Sequence, residues 1–270
     1  MLHVIIKVYS TSFLNNSMTY SKKKKFFGLS LPFRETGGWF YDVKESLLHF
    51  AFPHICEGCG SDLLGVDHEL CLKCLSSLPE TNFHLHPNNP IEKIFWGRLP
   101  VTYATAQYYF TKESLVQHLM HQLKYKGNKD LGIYLGRLMG HALAASNRFS
   151  FVDALIPLPL FPSKEKKRGY NQATVLCQGI AEVLQKPVLK DVIIRTSYTD
   201  SQTKKSRVQR WQNMEGRFKL VNAKAIEGKH VLLIDDVITT GATLEACGKE
   251  IIQAQNVQLS VATLCFSSDN

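Results

Sequence analysis

The chain has 270 residues, 44% of them hydrophobic and 20% charged, the composition of an ordinary globular protein long enough for one or two cored domains. That excludes a chain built around membrane spans, because no stretch reaches the roughly 18 apolar residues such a helix needs. A formal net charge of +9 suits polyanionic partners (phosphorylated substrates, nucleic acid or a membrane surface), although nearly half of the excess lies in residues 1–50.

Residues 1–40 mix Ser, Asn, the Lys22–Lys25 run and Gly37–Gly38 without sustained periodicity, and are expected to be a flexible tail or an extension. Met1–Tyr9 lacks the charged start and long apolar core of an export signal, so the expectation is a cytoplasmic protein with no membrane insertion. Residues 41–98 form the next expected unit. It opens with a helix whose Val43, Leu47, Leu48 and Ala51 share one face. Cys56-Glu57-Gly58-Cys59 and Cys71-Leu72-Lys73-Cys74 follow as two Cys-x-x-Cys knuckles. Four thiolates at that spacing suit a tetrahedral structural zinc ion, the alternative being a metal-free or redox role. Without an export signal, metal is favoured over disulfides.

Residues 99–268 alternate as an α/β domain does. Val101–Phe110 reads as a strand, and Glu113–Leu123 and Leu131–Leu143 as helices joined by a loop, Lys124–Asn128. Val152–Ile156 is a short buried strand ending in Pro157-Leu158-Pro159. A basic loop follows, Lys164–Gln172, in which Asn171 suits the N-cap of a helix carrying Leu176, Ile180, Val183 and Leu184 on one face. Cys177, Cys247 and Cys265 sit in apolar patterns and are expected in the core. Thr199–Arg217 is rich in Lys, Arg and Gln and reads as an exposed basic loop or helix start.

The run from Val231 to Thr243 carries the most chemistry. Val231–Ile234 is a strand buried on both faces, followed by Asp235 and Asp236, then Thr239-Thr240-Gly241-Ala242-Thr243, then a helix over Leu244–Gln255. Ligands of open α/β sheets bind where strands end at their carboxyl side. Free N–H groups at a helix start and Thr hydroxyls offer donors to a phosphate, while two carboxylates offer acceptors to vicinal hydroxyls. A ribose 5-phosphate fits that set. A solvated Asp pair, a phospho-acceptor or a magnesium site are the other readings of an acidic pair after an apolar strand.

This run closely resembles the phosphoribosyl-pyrophosphate (PRPP) signature of type I phosphoribosyltransferases. By that resemblance Asp235 and Asp236 hold the ribose hydroxyls, and Thr239, Thr240, Gly241, Ala242 and Thr243 wrap the 5-phosphate. Taken with the knuckles, the Leu-Lys-Tyr-x-Gly stretch at 123–127, Pro157-Leu158-Pro159 and Arg168-Gly169-Tyr170-Asn171-Gln172, residues 45–268 are similar to the ComF family, linked to competence and DNA uptake. The resemblance implies a type I phosphoribosyltransferase fold, a mostly parallel central sheet flanked by helices, with a zinc ribbon in front. It implies PRPP as ligand, magnesium as its companion ion, and Pro157, Leu158 and Pro159 facing the pyrophosphate. Arg168, Lys204, Lys205, Arg207 and Arg210 become candidates for neutralising the leaving pyrophosphate, the last four on a loop that closes over the site in related transferases. Three function classes stay open: a transferase of unknown acceptor, a single-stranded DNA-binding accessory of the competence machinery, and a PRPP- or nucleotide-sensing regulator. For the second, Trp96, Tyr103, Tyr108, Tyr109, Tyr170 and Trp211 are possible stacking residues, though core positions explain most of them more simply.

Overall fold

A computed structural model describes residues 55–62, 68–196 and 217–267. In chain order its elements are α1 (Leu72–Ser76), α2 (Pro90–Phe95), β1 (Ala104–Tyr109), α3 (Leu115–His121), α4 (Lys129–Ala144) and β2 (Ala154–Pro157). Then come α5 (Pro162–Arg168), α6 (Gln172–Leu184), β3 (Ile193–Arg195), β4 (Phe218–Leu220), β5 (His230–Ile238), α7 (Ala242–Ile251) and β6 (Gln258–Phe266).

The aliphatic runs of β2, β5 and β6 have side chains to bury on both faces, and the chain stacks them in one parallel four-stranded sheet of order β1-β6-β5-β2. Alternation along β5 divides the interior in two. Leu232 and Ile234 pack with Leu123, Leu135 and Leu176 on the side of α3, α4 and α6. Val231 and Leu233 pack with Phe95, Leu244 and Ile251 on the side of α2 and α7, where the antiparallel β3–β4 pair also contributes Ile193 and Phe218. The result is a three-layer arrangement with helices on both faces. The segment leaving the second knuckle joins it as an antiparallel edge, Thr81 N donating to Gln107 O (3.0 Å) and Tyr109 N to Pro79 O (2.9 Å).

The α4–α6 pairing is unusually close. A Cβ on Gly136 would lie 2.3 Å from the Leu176 carbonyl oxygen, and one on Gly179 2.0 Å from that of Ile133, so only hydrogen fits at the crossing.

Several expected boundaries change. The helix over Glu113–Leu123 starts at Leu115 and does not give way to a loop at Lys124: Gln122–Lys126 continue it as a π-helical turn, ended by Gly127 at φ 73°. The wider turn keeps Leu123 fully buried while turning Lys124 inward. The basic stretch expected as a loop is instead helix α5 over its first part, because Pro162 takes the first helical position and Gly169 (φ 83°) ends it. The helix expected over Leu244–Gln255 begins earlier, at Ala242, and ends at Ile251. No helix among the described residues is long and apolar enough to cross a membrane.

Candidate functional site

Asp235 and Asp236 lie within the last residues of β5, not beyond its end, so strand alternation sends them to opposite faces. Asp235 lines a concavity of about 60 Å³ together with Thr239, Thr240, Gly241, Ala242 and Thr243. Gly241 precedes α7 with φ 73°, and a Cβ there would sit 2.6 Å from Ile94 Cγ2, so both its conformation and its neighbours demand glycine. The unpaired N–H groups of the first turn of α7 open at this concavity, giving it the polarity of an anion site.

Asp236 is on the other face and takes Lys124 Nζ at 3.1 Å. Burial, and next the Asp236 charge, push the Asp235 carboxyl up to about 8, while the Asp236 N–H (2.8 Å), Lys124 and Arg195 pull it back. A carboxylate so costly to ionise gains from any hydroxyl donor or cation brought against it.

The proline loop runs beside this pair. Leu158 N donates to Ile234 O at 2.8 Å, one residue before Asp235. Asn171 serves two ends at once: its Oδ1 accepts from Ala173 N (3.0 Å) to cap α6, and its Nδ2 donates to Leu158 O (2.9 Å). Next to it the Tyr170 hydroxyl donates to the Leu123 carbonyl inside the π-helical turn. Arg168 donates to Gln172 Oε1 and lies 5.8 Å from the Tyr125 ring centroid. The Arg-Gly-Tyr-Asn-Gln stretch thus ties the proline loop to the turn that delivers Lys124.

Arg195, at the end of β3, sits between the rings of Phe161 (3.8 Å) and Phe218 (5.1 Å). Burial and then the nearby Arg217 lower its pKa, and Asp235 opposes them. Lys164, Lys166 and Lys167 are exposed on α5, a solvated face, with Arg168 alone of that run turned toward Tyr125.

The four knuckle sulfurs lie within 4.8 Å of one another. Cys71 N and Gly58 N point at Cys56 Sγ (3.2 and 3.4 Å). Burial raises the Cys56 thiol, but backbone N–H groups of Cys71, Cys59 and Gly58 outweigh it and bring it down to about 6, as a thiolate ligand requires. Four converging sulfurs, one of them already favouring the anion, form a donor set that fits a metal ion. The first knuckle rests on α3 and the π-helical turn: Gln122 Nε2 donates to Glu57 Oε2 (3.3 Å), and His118 Nε2 lies 3.1 Å from Glu57 O.

The structure therefore gathers the signature loop, the Asp pair and Pro157–Pro159 at one end of the sheet, and holds Arg168 one layer away at Tyr125. Lys204, Lys205, Arg207 and Arg210 lie outside the described residues, as does Trp211. Sequence reasoning missed Lys124 and Arg195. Lys124 stands in the Leu-Lys-Tyr stretch, whose pattern reads as a loop; nothing local marks Arg195. Of the other aromatics, Tyr108 and Tyr170 are core residues, while Trp96 is 59% exposed. Cys177, Cys247 and Cys265 are fully buried.

A parallel sheet with a Thr-Thr-Gly-Ala-Thr turn between β5 and α7 defines a protein of the type I phosphoribosyltransferase fold, here with a four-cysteine ribbon in front. Residues 171–270 match the phosphoribosyl transferase domain family. The chain belongs to the ComF family. It is 30% identical over 231 residues to the DNA utilization protein YhgH of Escherichia coli O157:H7, a match covering 84% of this chain and 95% of that one. It is also 29% identical to competence protein F of Haemophilus influenzae (75% and 86% covered) and 26% identical to competence protein ComFC of Bacillus subtilis (71% and 81%).

Proposed function

We propose that this protein binds PRPP with magnesium and transfers its phosphoribosyl group to an acceptor, in the service of DNA uptake or utilization as the names of its relatives suggest. The observation that carries the reading is the concavity in which Asp235 faces the Thr239–Thr243 turn at the start of α7. The turn would take the 5-phosphate on backbone N–H groups and Thr hydroxyls, and Asp235 would accept from a ribose hydroxyl, with Asp236 held by Lys124 on the other face of β5.

The reaction would be displacement at C1 of the ribose: a bond forms from the acceptor to C1 as the bond from C1 to the pyrophosphate oxygen breaks, and pyrophosphate leaves with the electron pair. Positive charge then builds on the ribose ring and negative charge on the leaving group. The proline loop would receive the pyrophosphate beside Asp235, with Arg168 and the basic residues Lys204, Lys205, Arg207 and Arg210 as the candidates for neutralising it. Magnesium, when bound with PRPP, would supply positive charge against the leaving pyrophosphate, with the Asp235 carboxylate the group here placed to help hold it. Cys56, Cys59, Cys71 and Cys74 would hold zinc as a structural ion, joining the two knuckles.

Calorimetric titration of PRPP into the full chain, with and without magnesium, tests the reading, alongside metal analysis for one zinc per chain. Magnesium-dependent binding that Asp235→Asn abolishes is expected; no binding in either condition would overturn it. A second reading, single-stranded DNA binding without chemistry, draws support from exposed Lys164, Lys166 and Lys167 on α5. It predicts an affinity that falls steeply with salt and is indifferent to Asp235→Asn.

A further inference from the structure

The turn that would receive the phosphate has an acidic residue under it. Glu245, on α7 four residues past Gly241, is only 4% exposed, so its charge has little water to screen it. A carboxylate in the first turn of a helix suits the helix itself. It opposes a second anion at the same N-terminus.

Both its oxygens are covered. Lys249 Nζ lies 2.9 Å from Oε1, and Arg98 approaches Oε2 through Nε at 2.9 Å and through Nη2. Arg98 does more than pair this charge. Its Nη1 donates to Thr240 O at 3.0 Å, in the middle of the turn, and to Ile94 O at 3.1 Å. One planar guanidinium thus reaches a helix carboxylate, a turn carbonyl and the last part of α2, which the single ammonium of a lysine cannot do in one geometry. A Thr240 carbonyl held by Arg98 is also kept from rotating its lone pairs toward an incoming anion.

We infer that Arg98 is a positioning residue for the phosphate turn: it fixes the Thr240 peptide and, with Lys249, offsets the Glu245 charge, so that the start of α7 accepts a phosphate. The inference rests on the sugar-phosphate reading of the site. It makes part of that site depend on residues ahead of β1, through a side chain that need not touch the ligand.

The test is calorimetric titration of ribose 5-phosphate into the full chain and its variants, with far-UV circular dichroism to check folding. Wild type should bind. Arg98→Met should bind about tenfold more weakly, the scale of one lost charged hydrogen bond. Adding Glu245→Gln to Arg98→Met should recover part of that loss, because the carboxylate that Lys249 alone would then offset is gone; a mere packing role gives no such rescue. Arg98→Lys carries the test should Arg98→Met not fold, with about threefold weaker binding expected because the Thr240 tether is lost while the charge is kept. A wild type that binds beside an Arg98→Met or Arg98→Lys variant within error of it overturns the inference alone, as does a double variant no better than Arg98→Met. A wild type that does not bind overturns the reading of the site, and the inference with it.

Discussion

Asp235 shows function working against stability at a single residue. Its folded pKa is above its ordinary value, so its contribution to stability is fully present below about 3.8 and is lost as pH rises through about 8. Asp235→Asn removes that loss. At pH 8 the variant should be more stable by on the order of 1 kcal/mol, a rise in Tm of about 2–4 °C for a chain of this size, and the gain should vanish near pH 4. A Tm that falls at pH 8 would mean the carboxylate is better solvated than its burial implies. Ligand affinity should move the other way with pH, strengthening toward pH 8 as Asp235 ionises. The sequence named both aspartates of the pair but not their divergence, which follows from their lying inside β5, nor the Lys124 that occupies Asp236.

Among the elements, α4 and α6 illustrate what a pattern of apolar residues does and does not convey. Their helical character was legible from Leu131–Leu143 and from Asn171 with the face Leu176, Ile180, Val183, Leu184. How near they approach is not legible in the apolar pattern, because it is set by Gly132, Gly136 and Gly140, spaced four apart along α4, and by Gly179, none of which adds an apolar side chain to that pattern. Gly136→Ala would drive a methyl into the Leu176 carbonyl, and a loss of about 3 kcal/mol is expected, measured by urea denaturation. A loss under about 0.5 kcal/mol would show that the helices can separate at no cost. The π-helical turn and α5 escape a sequence reading for related reasons. The turn is held by tertiary partners, the Tyr170 hydroxyl on Leu123 O and Asp236 on Lys124, which no local window contains. In α5 the exposed charges hid a helix that Pro162 starts and Gly169 stops, with no buried residue to give it a period.

At the scale of the molecule, residues ahead of β1 are built into the site. Ala51–Asn270 make one compact unit. Ile94 and Phe95 wall Gly241, Arg98 grips the turn, and residues 79–81 border β1. A fragment beginning at residue 99 should therefore lose ribose 5-phosphate binding and melt at a lower temperature than the full chain. A fragment that retains both, by calorimetry and thermal scan, would show the transferase-like part to be self-sufficient. None of this dependence was legible in the sequence, since Arg98 and Thr240 are 142 residues apart and share no motif.

The sheet order also bears on how such a chain is made. β1, the first of the described strands to leave the ribosome, has β6 as its parallel neighbour, Ala104 lying opposite Val261 and Tyr109 opposite Phe266. β5 completes its own pairing with that same last strand. β1 must then wait for β6, more than a hundred residues later, before it gains this neighbour, and loops of that length close slowly. The sheet should close late, leaving the facing edges of β1 and β5 open to chaperones until β6 arrives between them.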